Sequence, residues 1–166
     1  MAEQPSFDVT PGDEPSEDGR GARPSEAHTP LSITRQYVKD FSFENPNAPE
    51  IYGSIRDEGP ELNVSVDIAA NPLGDNAHEV VLSVAIKATY QDTTAFIIEL
   101  QYAAQAQTKA GLAEENLQYA LMVEVPRYLF PFARNIVVNA TREGGFPPLL
   151  LNPINFGKLH RNRMAQ

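Results

Sequence analysis

Histidine and carboxylate side chains are the residues of this 166-residue chain best suited to acid–base chemistry or metal binding. The histidines His28, His78 and His160 are far apart in the sequence, and none has a His, Asp or Glu three or four residues away on a predicted helix. Glu114 and Glu115 are adjacent, so on a helix their side chains diverge by about 100° and make a poor acid–base pair. These residues therefore do not form the pattern of a general acid–base catalyst.

The motifs that support nucleophilic, nucleotide or metal chemistry are also missing from the sequence. It has no cysteine, which excludes disulfides, thiolate metal sites and a cysteine nucleophile. It has no GxSxG turn, no Walker A loop and no HExxH helix. We therefore expect no catalytic residues, no metal, no cofactor and no enzymatic activity.

The charge balance narrows the classes of partner. The chain has 13 Lys and Arg against 22 Asp and Glu, a net charge of -9 with an isoelectric point near 4.7. Phosphate backbones and anionic lipids repel such a chain, which argues against a nucleic-acid partner. No apolar run approaches the roughly 18 residues of a membrane span, and the first residues lack the pattern of a signal peptide. We expect a cytoplasmic protein without direct membrane insertion.

The first 30 residues differ in composition from the rest. They contain five prolines, seven acidic residues and two basic residues, so this leader has a net charge of -5. Too little apolar surface is available there to offset a backbone ordering cost of about 1–2 kcal/mol per residue. The sequence predicts a disordered, acidic, proline-rich leader over 1–30 and a single folded domain over 31–166.

Apolar and polar residues alternate in four runs between residues 31 and 102. The runs cover residues 33–44, 62–68, 80–87 and 96–102, separated by Pro, Gly, Asn and Asp. This period of two predicts four strands with one buried face and one exposed face. One exposed face favours an antiparallel sheet, connected as a meander or a Greek key.

Helical spacing follows the fourth run. Leu117, Leu121 and Val125 predict a helix over about 112–125, which we expect Pro126 to end. A second helix is expected to carry Pro131 in its first turn and to end at 144–145, and a short last helix follows from about 154. The predicted class is α+β, a four-stranded antiparallel sheet with C-terminal helices packed on one face.

Acidic side chains gather on the exposed face of the predicted sheet. Asp40 and Glu44 share one face of the first strand, Asp67 points the same way on the second, and Glu99 lies beside Ile97 on the fourth. Isolated surface charges that keep a sheet in solution are the rule. The alternative is a flat acidic patch around an exposed isoleucine that attracts a basic partner.

The sequence also has more large apolar residues than one small sheet and three modest helices readily cover. The excess includes Phe41, Phe43, Ile51, Tyr52, Phe130, Phe132, Phe146 and the run 149–151. A larger core is one explanation. The other is an oligomer interface together with an open apolar groove.

Three segments together resemble the SecB family of bacterial protein-export chaperones. They are YVKDFSFENPNAPEIY (37–52), TTAFIIELQY (93–102) and LFPFARNIVVNATREGGFPPLLLNPINF (129–156). The likeness covers about residues 33–159 in the family's order. It implies an α+β protomer that assembles as a homotetramer, a dimer of dimers. It also implies an ATP-independent holdase that binds unfolded precursor proteins and delivers them to the SecA motor.

The resemblance also assigns roles to residues. For SecA binding, it implies the outward-facing residues Asp40, Glu44, Ile97 and Glu99. For binding of clients, it implies Ile51, Tyr52, Leu62, Val64, Val66, Phe156 and Leu159. For the oligomer interface, it implies the inward-facing residues of the fourth strand, Ile98, Leu100 and Tyr102.

Three alternatives remain beside general export. One is a SecB-like chaperone dedicated to a particular client such as an antitoxin, which would have no need for Asp40, Glu44 and Glu99 together. A second is an enzyme or small-molecule-binding oligomer, which would need convergent polar groups beside an apolar pocket. The third is a purely structural oligomer, which would not bind unfolded polypeptide.

Overall fold

A computed structural model of the chain describes residues 31–55 and 59–165. The leader predicted to be disordered, residues 1–30, lies outside these described residues. Four antiparallel strands form a single sheet: β1 (Leu31–Glu44), β2 (Glu61–Gly74), β3 (Ala77–Tyr90) and β4 (Thr93–Thr108). Their order is β1-β4-β3-β2, a Greek-key arrangement in which the first strand lies beside the last. The predicted class is confirmed.

The fourth strand is longer than the sequence pattern indicates. It continues past Ala103 to Thr108, with Ala104, Ala106 and Thr108 buried on the same face. These buried side chains are small, so their alternation with Gln105 and Gln107 lacks the large apolar residues of the four predicted runs. At the other end, Gln91 and Asp92 make the tight turn from β3 with φ of 45° and 64°, the conformation of a type I′ hairpin.

The strict alternation predicted for β1 is wrong, because the strand contains two irregularities. The register with β4 shifts between Ile33 and Arg35 and again between Val38 and Asp40. A bulge of this kind inserts one residue and reverses which face the following side chains occupy. As a result Tyr37, opposite Ala103, lies on the same outer face as Asp40.

One continuous helix replaces the two helices predicted between residues 112 and 144. It consists of α1 (Glu114–Tyr119), a π-helical turn (Ala120–Glu124) and α2 (Val125–Glu143). The prediction that Pro126 ends a helix is wrong, because that proline lies in the first turn of α2, which follows the wider π turn without a break in the helical dihedral angles. Pro131 lies inside α2 rather than in its first turn, with its ring exposed.

The helix end predicted at the paired glycines is confirmed. Gly145 has a φ of 81°, the left-handed conformation that glycine adopts readily after a helix. A 3₁₀ turn (Glu50–Ser54) lies in the connection between β1 and β2. The last helix, α3 (Phe156–Met164), begins after Asn155, whose side chain accepts a hydrogen bond from the Lys158 amide at 2.8 Å.

The core lies between the long helix and one face of the sheet. Its fully buried side chains include Val80, Leu82, Val84, Ile86, Ile98, Leu100, Leu129 and Val137. Burial of each such side chain contributes at most about 1.5–3 kcal/mol. The helix covers β4 and β3 and leaves β2 at an open edge of the sheet.

Candidate functional site

An apolar groove runs between the edge strand β2, the proline-containing segment 146–153 and α3. Its volume is about 500 Å³, and its lining includes Leu62, Val64, Val66, residues 149–154 and Leu159. A second pocket of about 280 Å³ shares Leu62 and Leu149 with this groove and continues it towards Tyr90, Phe96 and Phe146. Leu62 and Val64 are each 42% exposed. The groove therefore presents a long apolar surface that the protomer itself does not cover.

A buried hydroxyl holds the proline-containing segment in place. The side chain of Thr141 donates to the carbonyl of Val137 at 3.0 Å and accepts from the amide of Leu149 at 3.0 Å. The amide of Phe146 also donates to the Thr141 carbonyl at 3.0 Å. Thr141 is fully buried, so these bonds satisfy a hydroxyl that would be costly to bury unpaired. The segment therefore folds back beside β2.

The connection from β1 is fixed to the same helix end. The Tyr52 hydroxyl donates to the Gly144 carbonyl at 2.7 Å, and the Asn45 side-chain amide donates to that hydroxyl at 2.7 Å. The Tyr52 ring packs on Phe146 with a centroid distance of 5.4 Å. A Cβ on Gly144 would overlap the ring of Phe43, which explains why a glycine stands there. Aromatic rings thus build the end of the groove that lies towards Tyr90, Phe96 and Phe146, which we call its deep end.

The groove residues named by the resemblance fall into two groups. Leu62, Val64, Val66 and Leu159 line the groove, and Tyr52, 38% exposed, stands beside its deep end. Ile51 and Phe156 are 2% and 1% exposed, so in this conformation both side chains belong to the core behind the groove. The Phe156 ring packs edge-on against Phe130 with centroids 6.0 Å apart.

Sequence reasoning did not assign several groove residues. Leu149, Leu150 and Ile154 line the main groove, and Tyr90 and Phe96 line its continuation. The leucine run was part of the apolar excess, which was the available signal. No local pattern indicated that this run would lie alongside β2, since the pairing joins residues about 90 apart in the sequence.

The outer face of the sheet carries the four residues predicted to bind SecA. Glu44 is opposite Ile97, Ser42 is opposite Glu99, and Asp40 is opposite Gln101. All three acids are exposed, and Ile97 is half-buried between them. On the same outer face, Asp67 of the edge strand β2 continues the cross-strand row of Asp40. Lys87 lies opposite Ile97. Asp40, Glu44 and Glu99 together with Ile97 form an acidic patch, which lies on the face away from the long helix.

A second polar cluster on the outer face was not predicted. Glu79 accepts hydrogen bonds from the Tyr37 hydroxyl at 2.5 Å and from the Lys39 ammonium at 2.6 Å. These contacts, from Lys39 first and Tyr37 second, lower the pKa of Glu79 below its ordinary value. Donating to Glu79 raises the pKa of Tyr37 above its ordinary value of 10.0. Because the bulge in β1 creates this contact, strict alternation could not indicate it.

The three residues predicted at the oligomer interface lie in the core of the protomer. Ile98 and Leu100 are fully buried under α2, and Tyr102 stacks on Phe132 with a centroid distance of 6.1 Å. Phe132 is 52% exposed, so the stack reaches the molecular surface. Other large exposed apolar side chains are Val38 and Phe41 on β1 and Tyr119 and Tyr128 on the long helix.

The described parts of the chain offer neither a metal-binding cluster nor a membrane-spanning helix. Within residues 31–55 and 59–165, no group of three or more His, Asp or Glu side chains is placed to hold a metal ion. Among the helices of those same ranges, none has the length and apolarity to cross a membrane.

An open apolar groove without convergent polar groups is the geometry of a binding protein, and comparison with known families agrees. The family model described as "Preprotein translocase subunit SecB" matches residues 24–166. The chain belongs to the SecB family, which is a family of chaperones and not of enzymes. The resemblance found in the sequence is confirmed.

Curated relatives carry the same family name. The chain is 46% identical over 149 residues to the protein-export protein SecB of Rhodospirillum centenum, covering 89% of this chain and 88% of that protein. It is 44% identical to the SecB of Rhodospirillum rubrum, covering 86% of this chain and 88% of the relative. It is 45% identical to the SecB of Paramagnetospirillum magneticum, with 86% and 91% covered.

A solved structure has the same fold at low sequence identity. Rv1957 of Mycobacterium tuberculosis is a SecB-like chaperone, solved in complex with a peptide from the HigA1 antitoxin. It superposes with a TM-score of 0.64 at 18% identity, covering 78% of this chain and 94% of the other. This likeness supports the fold.

Proposed function

We propose that this chain is an ATP-independent export chaperone of the cytoplasm. It holds unfolded precursor proteins in the apolar groove, keeps them competent for translocation and delivers them to SecA. The observation that carries the proposal is the continuous apolar groove beside β2, where Leu62 and Val64 are each 42% exposed. Its membership in the SecB family supports the proposal.

The chemistry of the groove suits many different polypeptides. Its lining is aliphatic and aromatic, so it binds apolar side chains without requiring a particular pattern of hydrogen bonds. Each client side chain that it buries gains about 1.5–3 kcal/mol. A folded protein buries such side chains in its own core, so the groove does not bind it.

Within the groove, the proposed client contacts differ in how they act. Leu62, Val64, Val66 and Leu159 present surface directly, and Tyr52 shapes the aromatic end through its bond to Gly144. Ile51 and Phe156 support the groove from behind, since both are buried.

The acidic patch on the outer face is proposed as the docking site for SecA. Asp40, Glu44 and Glu99 attract a basic surface, and Ile97 adds an apolar contact at the centre. The face lies away from the long helix, so SecA can bind while a client occupies the groove. A chaperone dedicated to one client would have no use for this patch, which favours general export.

The homotetramer, a dimer of dimers, is proposed from the surfaces left uncovered. β1 is an edge strand with exposed Val38 and Phe41, and the long helix exposes Tyr128 and Phe132. An uncovered edge and a row of exposed aromatic side chains are typical of surfaces that pair with another copy. Ile98, Leu100 and Tyr102 would support this assembly from below, by holding α2 on the sheet.

Light scattering of the purified chain tests the holding function. We expect a mass near four protomers that rises on addition of a slow-folding, non-native secretory precursor and does not rise with the folded form. Several grooves around one tetramer give avidity without a single strong site. A monomer or dimer that ignores the unfolded precursor would overturn the proposal.

A pair of variants assigns the binding to the groove. Leu62→Ser with Val64→Ser removes two exposed apolar contacts, and we expect precursor affinity to fall about tenfold or more. Asn63→Ser, on the other face of the same strand, is the matched control and leaves affinity unchanged. Equal binding by both variants would show that clients bind elsewhere.

A further inference from the structure

The last turn of α3 is attached to the edge of the sheet by one side chain. Arg163 donates from Nη1 to the backbone carbonyl of Ile68 at 3.0 Å, and its Nη2 contacts the carboxylate of Asp67. Asp67 and Ile68 are consecutive residues of β2, directly after the groove residue Val66. A single guanidinium therefore holds both a backbone carbonyl and a carboxylate of the strand that borders the groove.

The two ends of α3 are held by different means. At its start, Phe156 is buried against Phe130, and Asn155 caps the first turn. In its last turn, Arg161, Asn162, Arg163 and Met164 are all exposed, and Met164 is 76% exposed. Among the described residues of that turn no apolar side chain is buried, so its attachment depends on the polar contacts of Arg163.

The attached turn forms one wall of the groove. Leu159 lies one helical turn before Arg163 and lines the same groove as Val66. The position of Leu159 relative to β2 thus sets the width of the groove at this end. An exposed ion pair contributes little to stability, so the attachment is weak enough to open thermally.

We propose that Arg163, with Asp67 and the Ile68 carbonyl, is a latch that holds α3 in the narrow position and limits the entry of clients into the groove. Arg163 acts as a positioning residue, because it moves Leu159 and does not itself need to touch the client. Opening the latch widens the groove between Leu159 and Val66. This inference rests on the proposed client-binding function.

The first test of the latch does not depend on clients. Arg163→Gln and Asp67→Asn remove the ion pair, and Arg161→Gln is the control, since Arg161 makes no ion pair with any residue in 31–55 or 59–165. We expect amide hydrogen exchange at residues 159–164 to rise about two- to fivefold in the first two variants only. Unchanged exchange in Arg163→Gln would overturn the latch.

The second test measures client entry by stopped-flow with a permanently unfolded, fluorescently labelled precursor. Opening the latch is expected to raise the association rate about two- to fivefold, and high salt is expected to narrow the difference from the wild-type chain. Replacing a residue that only stabilises the fold would leave the association rate unchanged or lower it. Asp67→Arg with Arg163→Asp restores the ion pair but not the bond to the Ile68 carbonyl, because a carboxylate cannot donate, so it is expected to recover only part of the wild-type rate.

The two tests separate failure of the latch from failure of the proposed function. If the wild-type chain binds no unfolded precursor, the proposed function fails, whatever the exchange experiment gives. If the wild-type chain binds and Arg163→Gln binds at the same or a lower rate, the latch is overturned while the function stands.

Discussion

At the scale of single residues, one inserted residue in β1 determines which side chains meet on the outer face. The irregularity between Val38 and Asp40 turns Tyr37 outward, opposite the small side chain of Ala103. The tyrosine hydroxyl then reaches across β4 to Glu79 on β3, where Lys39 also binds. The carboxylate of Glu79 is thereby paired. The contacts join β1 to β3 across β4 on the face that carries the acidic patch.

This cluster predicts a contribution to stability that depends on pH. Because contacts with Lys39 and Tyr37 lower the pKa of Glu79 from its ordinary 4.5, they stabilise the fold above that pH. The contribution is lost as pH falls through the lowered pKa. The urea midpoint of unfolding should therefore fall on acidification from neutral pH to below pH 4.5. This fall should be smaller for Glu79→Gln than for the wild-type chain.

An exposed carboxylate provides the control for that measurement. Glu115→Gln, on the exposed side of α1, should keep the wild-type dependence on pH. Parallel curves for the wild-type chain and Glu79→Gln would contradict the role given to the Glu79 cluster.

At the scale of elements, the long helix passes two prolines without ending. The π turn that ends two residues before Pro126 and the exposed position of Pro131 accommodate both rings, and packing of Leu129 and Val137 on the sheet keeps the helix continuous through them. Tertiary packing outweighs the local preference of proline to end a helix, because the buried face contributes more than one or two missing hydrogen bonds.

Two glycines at the ends of elements should respond oppositely to alanine. Gly145 has a φ of 81°, and a Cβ there would lie 3.1 Å from the Tyr52 ring, so Gly145→Ala should lower the free energy of unfolding by about 1–2 kcal/mol. Gly157 is helical, and its Cβ would make ordinary contacts of 3.5 Å or more. Gly157→Ala should raise that free energy by about 0.5–1 kcal/mol.

Equilibrium unfolding in urea measures both changes. The two variants are matched, since each adds one methyl group to a glycine at the margin of the groove. A destabilised Gly157→Ala would mean that α3 has less room than its contacts indicate. A neutral Gly145→Ala would mean that Tyr52 does not fix the end of the long helix.

At the scale of the whole molecule, one sheet separates the two surfaces proposed for binding. The groove lies on the side of the helices at the edge strand β2, and the acidic patch lies on the opposite face. A chaperone that must transfer its client to a motor benefits from this arrangement, since neither partner blocks the other.

The separation predicts that charge reversal on the outer face affects one partner only. Asp40→Lys with Glu99→Lys should abolish SecA binding in titration calorimetry, while oligomer mass and precursor binding remain. Asp75→Lys with Glu115→Lys makes the same change in net charge at other exposed positions and should retain SecA binding. Loss of the oligomer in the first variant would mean that these acids lie at an interface between copies.

The sequence by itself determined the fold class and the family. Alternation of period two marks strands because neighbouring side chains point to opposite faces, and this rule is local. It also placed Asp40, Glu44 and Glu99 on one face, since the register of β1 with β4 is regular from Asp40 to Glu44. The three family-like segments identified the family, which the comparisons confirmed.

Only the tertiary structure decided which residues meet across the chain. The bulge that pairs Tyr37 with Glu79, the helix that continues through Pro126, and the burial of Ile51 and Phe156 each depend on distant partners. The groove itself joins β2 to a segment about 90 residues later, and Arg163 reaches Asp67 over a similar separation. Local patterns carry no information about such contacts, because their energy arises only when the folded chain brings the two surfaces together.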